Sequence, residues 1–146
     1  MWAYTQLFRS GIVEYGFSNF YHPPMDLQES MIMGQGLEKQ MVHCYQDAVQ
    51  RHRKQGGVGY AYIGFSLVGI QGKSFFVTLM AWSDRDSKIR QNIFTSPEAY
   101  VDLSIPEEPP FERTLRPLVD TLWQVGGREQ TPFLRDGKWE PFREYQ

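Results

Sequence analysis

Apolar side chains recur along this chain first with the period of strands and later with the wider spacing of helices. Trp2 to Phe17 is rich in Tyr, Phe, Ile and Val around Ser10-Gly11, which predicts two strands, 3–9 and 11–17, joined by a tight turn. Ser18 to Gly36 holds Pro23-Pro24, Gly34 and Gly36 among polar residues and reads as a long surface loop. Leu37, Met41, Cys44, Ala48 and His52 then fall on one helical face, predicting a helix over 37–55 that Gly56-Gly57 ends in a left-handed cap.

From Val58 to Ile70 the alternation returns. Tyr60, Tyr62 and Ser66 share one side, while Ala61, Ile63, Phe65 and Leu67 share the other and should face the core. Gln71-Gly72 makes a turn, and Ser74 to Trp82 has Phe75, Val77, Leu79 and Ala81 on one face, so 58–70 and 74–82 are expected to pair as a hairpin. A third strand is expected within Ile89 to Phe94, resuming at Tyr100 to Leu103 after Ser96-Pro97. In the last helix Thr114 is the expected N-cap, with Pro117 at the third helical position, Leu115, Leu118, Val119 and Leu122 facing the sheet, and Gly126-Gly127 as the stop. The order β-β-α-β-β-β-α predicts one α+β domain over 1–146: a largely antiparallel sheet of about five strands with two helices packed on it.

Charge narrows the partners. A formal net charge of −2 opposes a surface built to neutralise many phosphates. The densest basic cluster, Arg51, His52, Arg53 and Lys54, lies where cations complement a helix C-terminus. With Tyr60 and Tyr62 close behind, Arg51, Arg53 and Lys54 are the candidate contacts to nucleic acid or to a protein partner. Arg9 and His52, with the two tyrosines, are the candidate lining of a small-molecule cleft between helix 37–55 and the sheet. Trp2, Trp82, Trp123 and Trp139 are candidate interface anchors or ordinary core material.

Catalytic patterns are weak. Gly72-Lys73-Ser74 resembles the end of a P-loop, but position 67, where that loop needs its first glycine, is Leu67, and a strand follows instead of a helix. Gly56-Gly57-Val58-Gly59 lies after a helix and before a strand, the reverse of a dinucleotide fingerprint. His43 and His52 project about 180° apart on one helix and cannot share an ion, while His22 stands apart in sequence. Asp84 and Asp86 read as turn charges, and Glu107-Glu108 as a solvated approach to the last helix. The lone Cys44, mid-helix, reads as buried packing. The residues therefore name no reaction, and no cofactor or metal is expected. The absence of a charged leader before an apolar stretch, and of a membrane-spanning apolar window, gives a cytoplasmic expectation.

One resemblance adds context. Leu7-Phe8-Arg9-Ser10-Gly11-Ile12-Val13-Glu14, the run Leu115-Arg116-Pro117-Leu118-Val119-Asp120-Thr121-Leu122-Trp123 with Gly126-Gly127, and Asp136-Gly137-Lys138-Trp139 together resemble a region downstream of the nucleic-acid-binding module in bacterial Schlafen AlbA-like proteins. Gln124 stands where that pattern has Asn. Such proteins are described as DNA-binding transcriptional regulators or ATP-binding proteins, labels that belong to an N-terminal module absent from this sequence. The resemblance implies a sensing, docking or oligomerising domain of a larger protein, with that module as its partner, a homodimer as a further option, and nucleic acid met mainly through the module.

Overall fold

A computed structural model of the chain describes residues 3–7, 12–17, 31–77, 88–105 and 111–141. Among them are ten short strands and two helices in an α+β arrangement. The strands form five two-stranded pairs instead of one five-stranded sheet. The first pair, β1 (Ala3–Leu7) with β2 (Val13–Phe17), is the expected N-terminal hairpin. Ser10-Gly11 lies outside the described residues.

Part of the expected loop at 18–36 is regular structure. β3 (Met31–Met33) pairs in parallel with β6 (Ser74–Phe76), and helix α1 begins at Gly34 and runs to Lys54. Met31, Ile32, Ser74 and Phe75 are all buried, as consecutive residues of a parallel pair covered on both faces must be. Among the described residues, 58–70 therefore does not pair with the start of the expected 74–82 strand, whose residues 78–82 lie outside the described residues. The turn at Gln71-Gly72 forms, with Gly72 at φ 77°, but it delivers the chain to β3.

The true partner of 58–70 comes from further along. β4 (Tyr60–Ile63) pairs antiparallel with β8 (Ala99–Asp102), and β5 (Ser66–Val68) with β7 (Ile93–Thr95). Between these pairs lie residues 64–65 on one side and 96–98 on the other, so the second strand carries one extra residue, in the manner of a β-bulge. Ser96 bridges the interruption. Its backbone N–H donates to Phe65 O at 2.9 Å, and its Oγ accepts from the Phe65 N–H at 3.0 Å. The four strands thus make one long interrupted ribbon whose inner face, with Phe94, Val101 and Leu103 buried, joins the core.

The buried stripe of α1 is Gly34, Leu37, Glu38, Val42, Tyr45 and Val49. Cys44, Ala48 and His52, expected on the buried face, are half-buried at its flank. The difference is a rotation of the stripe onto the face that carries Val42, Tyr45 and Val49, with Glu38 on the same face. Both Gly56, at φ 77°, and Gly127, at φ 84°, close their helices as expected. Gly57 N–H donates to His52 O and Gly56 N–H to Arg53 O, while Arg128 N–H donates to Trp123 O and Gly127 N–H to Gln124 O, two instances of the Schellman pattern.

Helix α2 spans Phe111–Val125, so Thr114 is inside it and buried instead of capping it, and Pro117 is an interior residue. Starting a turn earlier, the helix loses the bond from position 117 to the Arg113 carbonyl. The helix persists because Leu115, Leu118, Val119, Leu122 and Trp123 are buried along one face against α1 and β8. At the C-terminal end β9 (Leu134–Arg135) and β10 (Lys138–Trp139) pair across Asp136-Gly137, both with positive φ, as a two-residue hairpin turn of the I′ kind requires. No helix among the described residues is long and apolar enough to cross a membrane.

Candidate functional site

The outward face of the ribbon gathers most of the exposed large apolar side chains among the described residues. Tyr60, Tyr62, Tyr100, Val68 and Ile93 are each more than half exposed, as is Val58 two residues before Tyr60. Alternation along the strands turns them all away from Ala61, Ile63, Leu67, Phe94 and Val101, which pack inward. Tyr62 faces Tyr100 in register, and the Tyr60 and Tyr100 rings meet edge to face at 5.7 Å. Val68 faces Ile93, and between the two apolar groups Ser66 Oγ and Thr95 Oγ1 lie 3.2 Å apart. At about 200 Å² per tyrosine and somewhat less per valine or isoleucine, the exposed fractions of the five strand residues leave roughly 600 Å² of largely apolar surface. That is the upper end of the largest patch of an ordinary monomer, about 300–600 Å².

The face contributes no cation of its own. Its charges are acidic: exposed Glu98 lies in the interruption between the strand pairs, and Asp102 accepts from the backbone N–H and hydroxyl of Ser104, bonds that hold its carboxyl below the usual carboxylate range.

The basic helix end lies where the ribbon begins. Arg53 Nη2 donates to Ile105 O at 2.9 Å, tying α1 to the chain beyond β8. Arg51 Nε donates to Asp47 Oδ2 at 2.6 Å, and Tyr15 Oη donates to the same oxygen at 2.6 Å. Asp47 is thereby held below the ordinary carboxylate range, and burial beside that carboxylate pushes the Tyr15 phenol up. Lys54 is exposed. The candidate contacts thus separate into two sets: Tyr60 and Tyr62 on the open face, and Arg51 and Arg53 engaged in bonds that fasten the helix.

A shallow groove of about 200 Å³ runs between β2 and α1, lined by Tyr15, Phe17, Gln40, His43, Cys44 and Asp47. His52 is not among its lining residues, and Arg9 lies outside the described residues, as do His22, Asp84, Asp86, Glu107 and Glu108. Burial pushes the Cys44 thiol up, against a reactive thiolate. No group of three metal-ligating side chains occurs among the described residues.

The most polar point of the interior escaped the sequence reading. Glu38 is fully buried, and three side chains donate to it: Trp123 Nε1 and Thr131 Oγ1 to Oε1 at 2.5 and 2.6 Å, and Trp139 Nε1 to Oε2 at 2.5 Å. Thr131 Oγ1 itself accepts from the Phe133 N–H, which commits its hydroxyl proton to Glu38. Burial pushes the Glu38 carboxyl up to about 7 although all three donors pull it down, and Asp120 nearby adds to the rise. Asp120 is itself bonded by Arg116 Nε and the Thr131 N–H. Trp123 and Trp139, two candidate interface anchors, are therefore interior residues, and Trp2 and Trp82 lie outside the described residues. The signal that could have revealed the centre is an acidic residue on an apolar helix stripe, with two indoles far along the chain.

No family model, curated protein or solved structure matches this chain.

Proposed function

We propose that this chain is a non-catalytic docking domain whose ribbon face seats a protein partner. The observation that carries the reading is the outward set of Tyr60, Tyr62, Tyr100, Val68 and Ile93, exposed together on one ribbon with no Lys or Arg among them. Leaving such surface in water is unfavourable by about 25 cal/mol per Å², and a protein surface removes it from water where a polyanion does not. Direct nucleic-acid binding through Arg51, Arg53 and Lys54 is the weaker reading, because Asp47 neutralises Arg51 and the tyrosines lack interleaved cations. A cleft enzyme using Tyr60 and Tyr62 is weaker still, since both rings point to solvent.

The wider context, a cytoplasmic regulatory protein similar to the Schlafen AlbA-like group with its own N-terminal module as a partner, rests on the motifs at 7–14, 115–127 and 136–139. The test is photo-crosslinking in cells from a benzophenone amino acid at position 62, with position 39 on α1 as control. Protein adducts specific to position 62 are expected. Adducts to nucleic acid alone, or equal yields from both positions, would overturn the docking role.

A further inference from the structure

We infer that the partner is seated as an added β-strand along the free edge of β4 and β5, an extended segment with apolar side chains on both of its faces. The inference rests on the docking role and adds the shape and chemistry of the occupant. Backbone parity locates the edge. Leu103 N–H donates to Gly59 O at 2.7 Å, Ser96 N–H to Phe65 O at 2.9 Å and Gly69 N–H to Asn92 O at 2.9 Å. With Tyr60 opposite Asp102 and Ser66 opposite Thr95, these bonds make the odd-numbered residues from 59 to 69 the hydrogen-bonded positions of the ribbon. The backbone N–H and C=O groups of Tyr60, Tyr62, Ser66 and Val68 therefore point away from β7 and β8, and among the described residues they meet no backbone partner. From Tyr60 to Val68 this row is about 27 Å long at roughly 3.3 Å per residue. An extended chain laid along it would gain main-chain bonds at every second residue.

The two edges of the ribbon are unlike. On the side of β7 and β8, Pro97 offers no N–H, the extra residue breaks the row, and Glu98 and Asp102 add charge, which are devices that keep a foreign strand off. Tyr60 to Val68 holds neither a proline nor a charged residue. The side chains select the occupant further. Ala61, Ile63, Phe65 and Leu67 face inward yet are only partly buried, whereas Phe94, Val101 and Leu103 on the opposite strands are buried. The core is thus less completely covered along the free edge, and one row of apolar side chains on an added strand would close it. The other row would lie beside Tyr60, Tyr62 and Val68 on the outward face. Since the charges of that face, Glu98 and Asp102, are acidic, neutral or basic segments are admitted and acidic ones repelled.

Amide exchange and peptide selection on the whole chain test the inference. In the free chain the amides of residues 61, 63, 65 and 67 should exchange slowly and those of 60, 62, 66 and 68 fast; slow exchange in the second set would show an edge already paired and overturn the inference. Random peptides displayed on phage and selected on the chain should converge on apolar residues at alternate positions, without proline or acidic residues. The synthetic peptide should then slow the amides of 60, 62, 66 and 68. Ser66→Pro removes one outward N–H and no backbone bond of the ribbon, so the circular dichroism spectrum should hold. The peptide should bind this variant about tenfold more weakly or worse, and Ser66→Ala, which keeps the N–H, as well as the wild type. Selection that yields no peptide, peptides with helical spacing, or an affinity unchanged in Ser66→Pro overturns strand addition. If Ser66→Pro does not fold, the amides slowed by the peptide decide alone. Protein adducts from position 62 in cells that persist in Ser66→Pro remove the added strand and leave the docking role standing, whereas the absence of protein adducts removes both.

Discussion

The cost of replacing Glu38 by Gln should shrink as pH rises. The carboxyl is raised from 4.5 to about 7 by burial, so the native state holds a proton over that interval that the unfolded chain has already released. The contribution of Glu38 to stability is then fully present below pH 4.5 and is lost as pH rises through 7. At 1.36 kcal/mol per unit the loss is about 3 kcal/mol, a large part of the stability of a domain this size. In the acid form both oxygens keep a lone pair for the three donors, whereas a Gln amide accepts only at its one oxygen and turns its N–H₂ toward a donor. Glu38→Gln should therefore be less stable than the wild type near pH 4.5, by about 1–3 kcal/mol. Above pH 8 the wild type alone holds a charge in the interior, where its three donors do not fully replace water, and its advantage over the variant should have shrunk by about 3 kcal/mol.

Urea unfolding of both proteins at half-unit steps from pH 4.5 to 8.5, followed by tryptophan fluorescence, gives the difference curve directly. Taking the difference removes the titration of the histidines and surface carboxylates common to both chains. A flat difference would refute the reasoning, and so would one that favours the wild type increasingly with pH. Either result would mean that the donors Trp123, Thr131 and Trp139 outweigh desolvation and hold Glu38 ionised. Glu38→Ala serves as the contrasting perturbation: it leaves three buried donors without an acceptor, at about 1–3 kcal/mol each, and should lower the urea midpoint at every pH.

Further expectations follow from single contacts. A Cβ on Gly126 would lie 2.4 Å from Cδ2 of Phe75, whose ring packs on Trp123 at 4.7 Å, so Gly126→Ala should cost about 1–3 kcal/mol in thermal unfolding; an unchanged midpoint would show that Phe75 can move freely. Ser96→Ala removes the acceptor for the Phe65 N–H at the ribbon interruption, and should destabilise by about 1–2 kcal/mol and speed amide exchange at Phe65; unaltered exchange there would count against the bridge. Cys44, its thiol pushed up by burial, should alkylate with iodoacetamide at pH 7.5 more slowly than a cysteine peptide, and a faster reaction would point to a thiolate the structure does not explain.

The local grammar of the chain was legible where one residue type answers to one backbone requirement. Gly56 and Gly127 sit at positive φ at the helix ends, Asp136-Gly137 makes the tight turn, and Ser96-Pro97 interrupts its strand. Alternation correctly assigned Ala61, Ile63, Phe65 and Leu67 to the core and Tyr60, Tyr62 and Ser66 to the outside. Partnership was not legible. The 58–70 segment and the strand after Gly72 look like a hairpin because the turn between them is real, yet pairing is decided by which long-range surface each strand can bury, and Phe94 and Val101 lie some thirty residues on. Likewise Pro117 misplaced the start of α2, because burial of its apolar face outweighs the lost backbone bond.

The C-terminal third carried the most specific pattern in the sequence, and its residues have structural work that accounts for them. Leu115, Leu118, Val119 and Leu122 bury one face of α2, Gly126 lets Phe75 approach, and the turn at Asp136-Gly137 returns Trp139 to Glu38. Trp123, Thr131 and Trp139 converge from three parts of this segment on a single carboxylate carried by α1. The pattern is thus the outline of a fastening between α1, α2 and the terminal hairpin, and likeness in these residues reports a shared interior before it reports a shared partner. The ribbon face differs in kind, because the contacts among the described residues do not account for outward tyrosines at 60, 62 and 100. The interior explains why the motif must be kept together, and the open ribbon is where a difference in partner would be written.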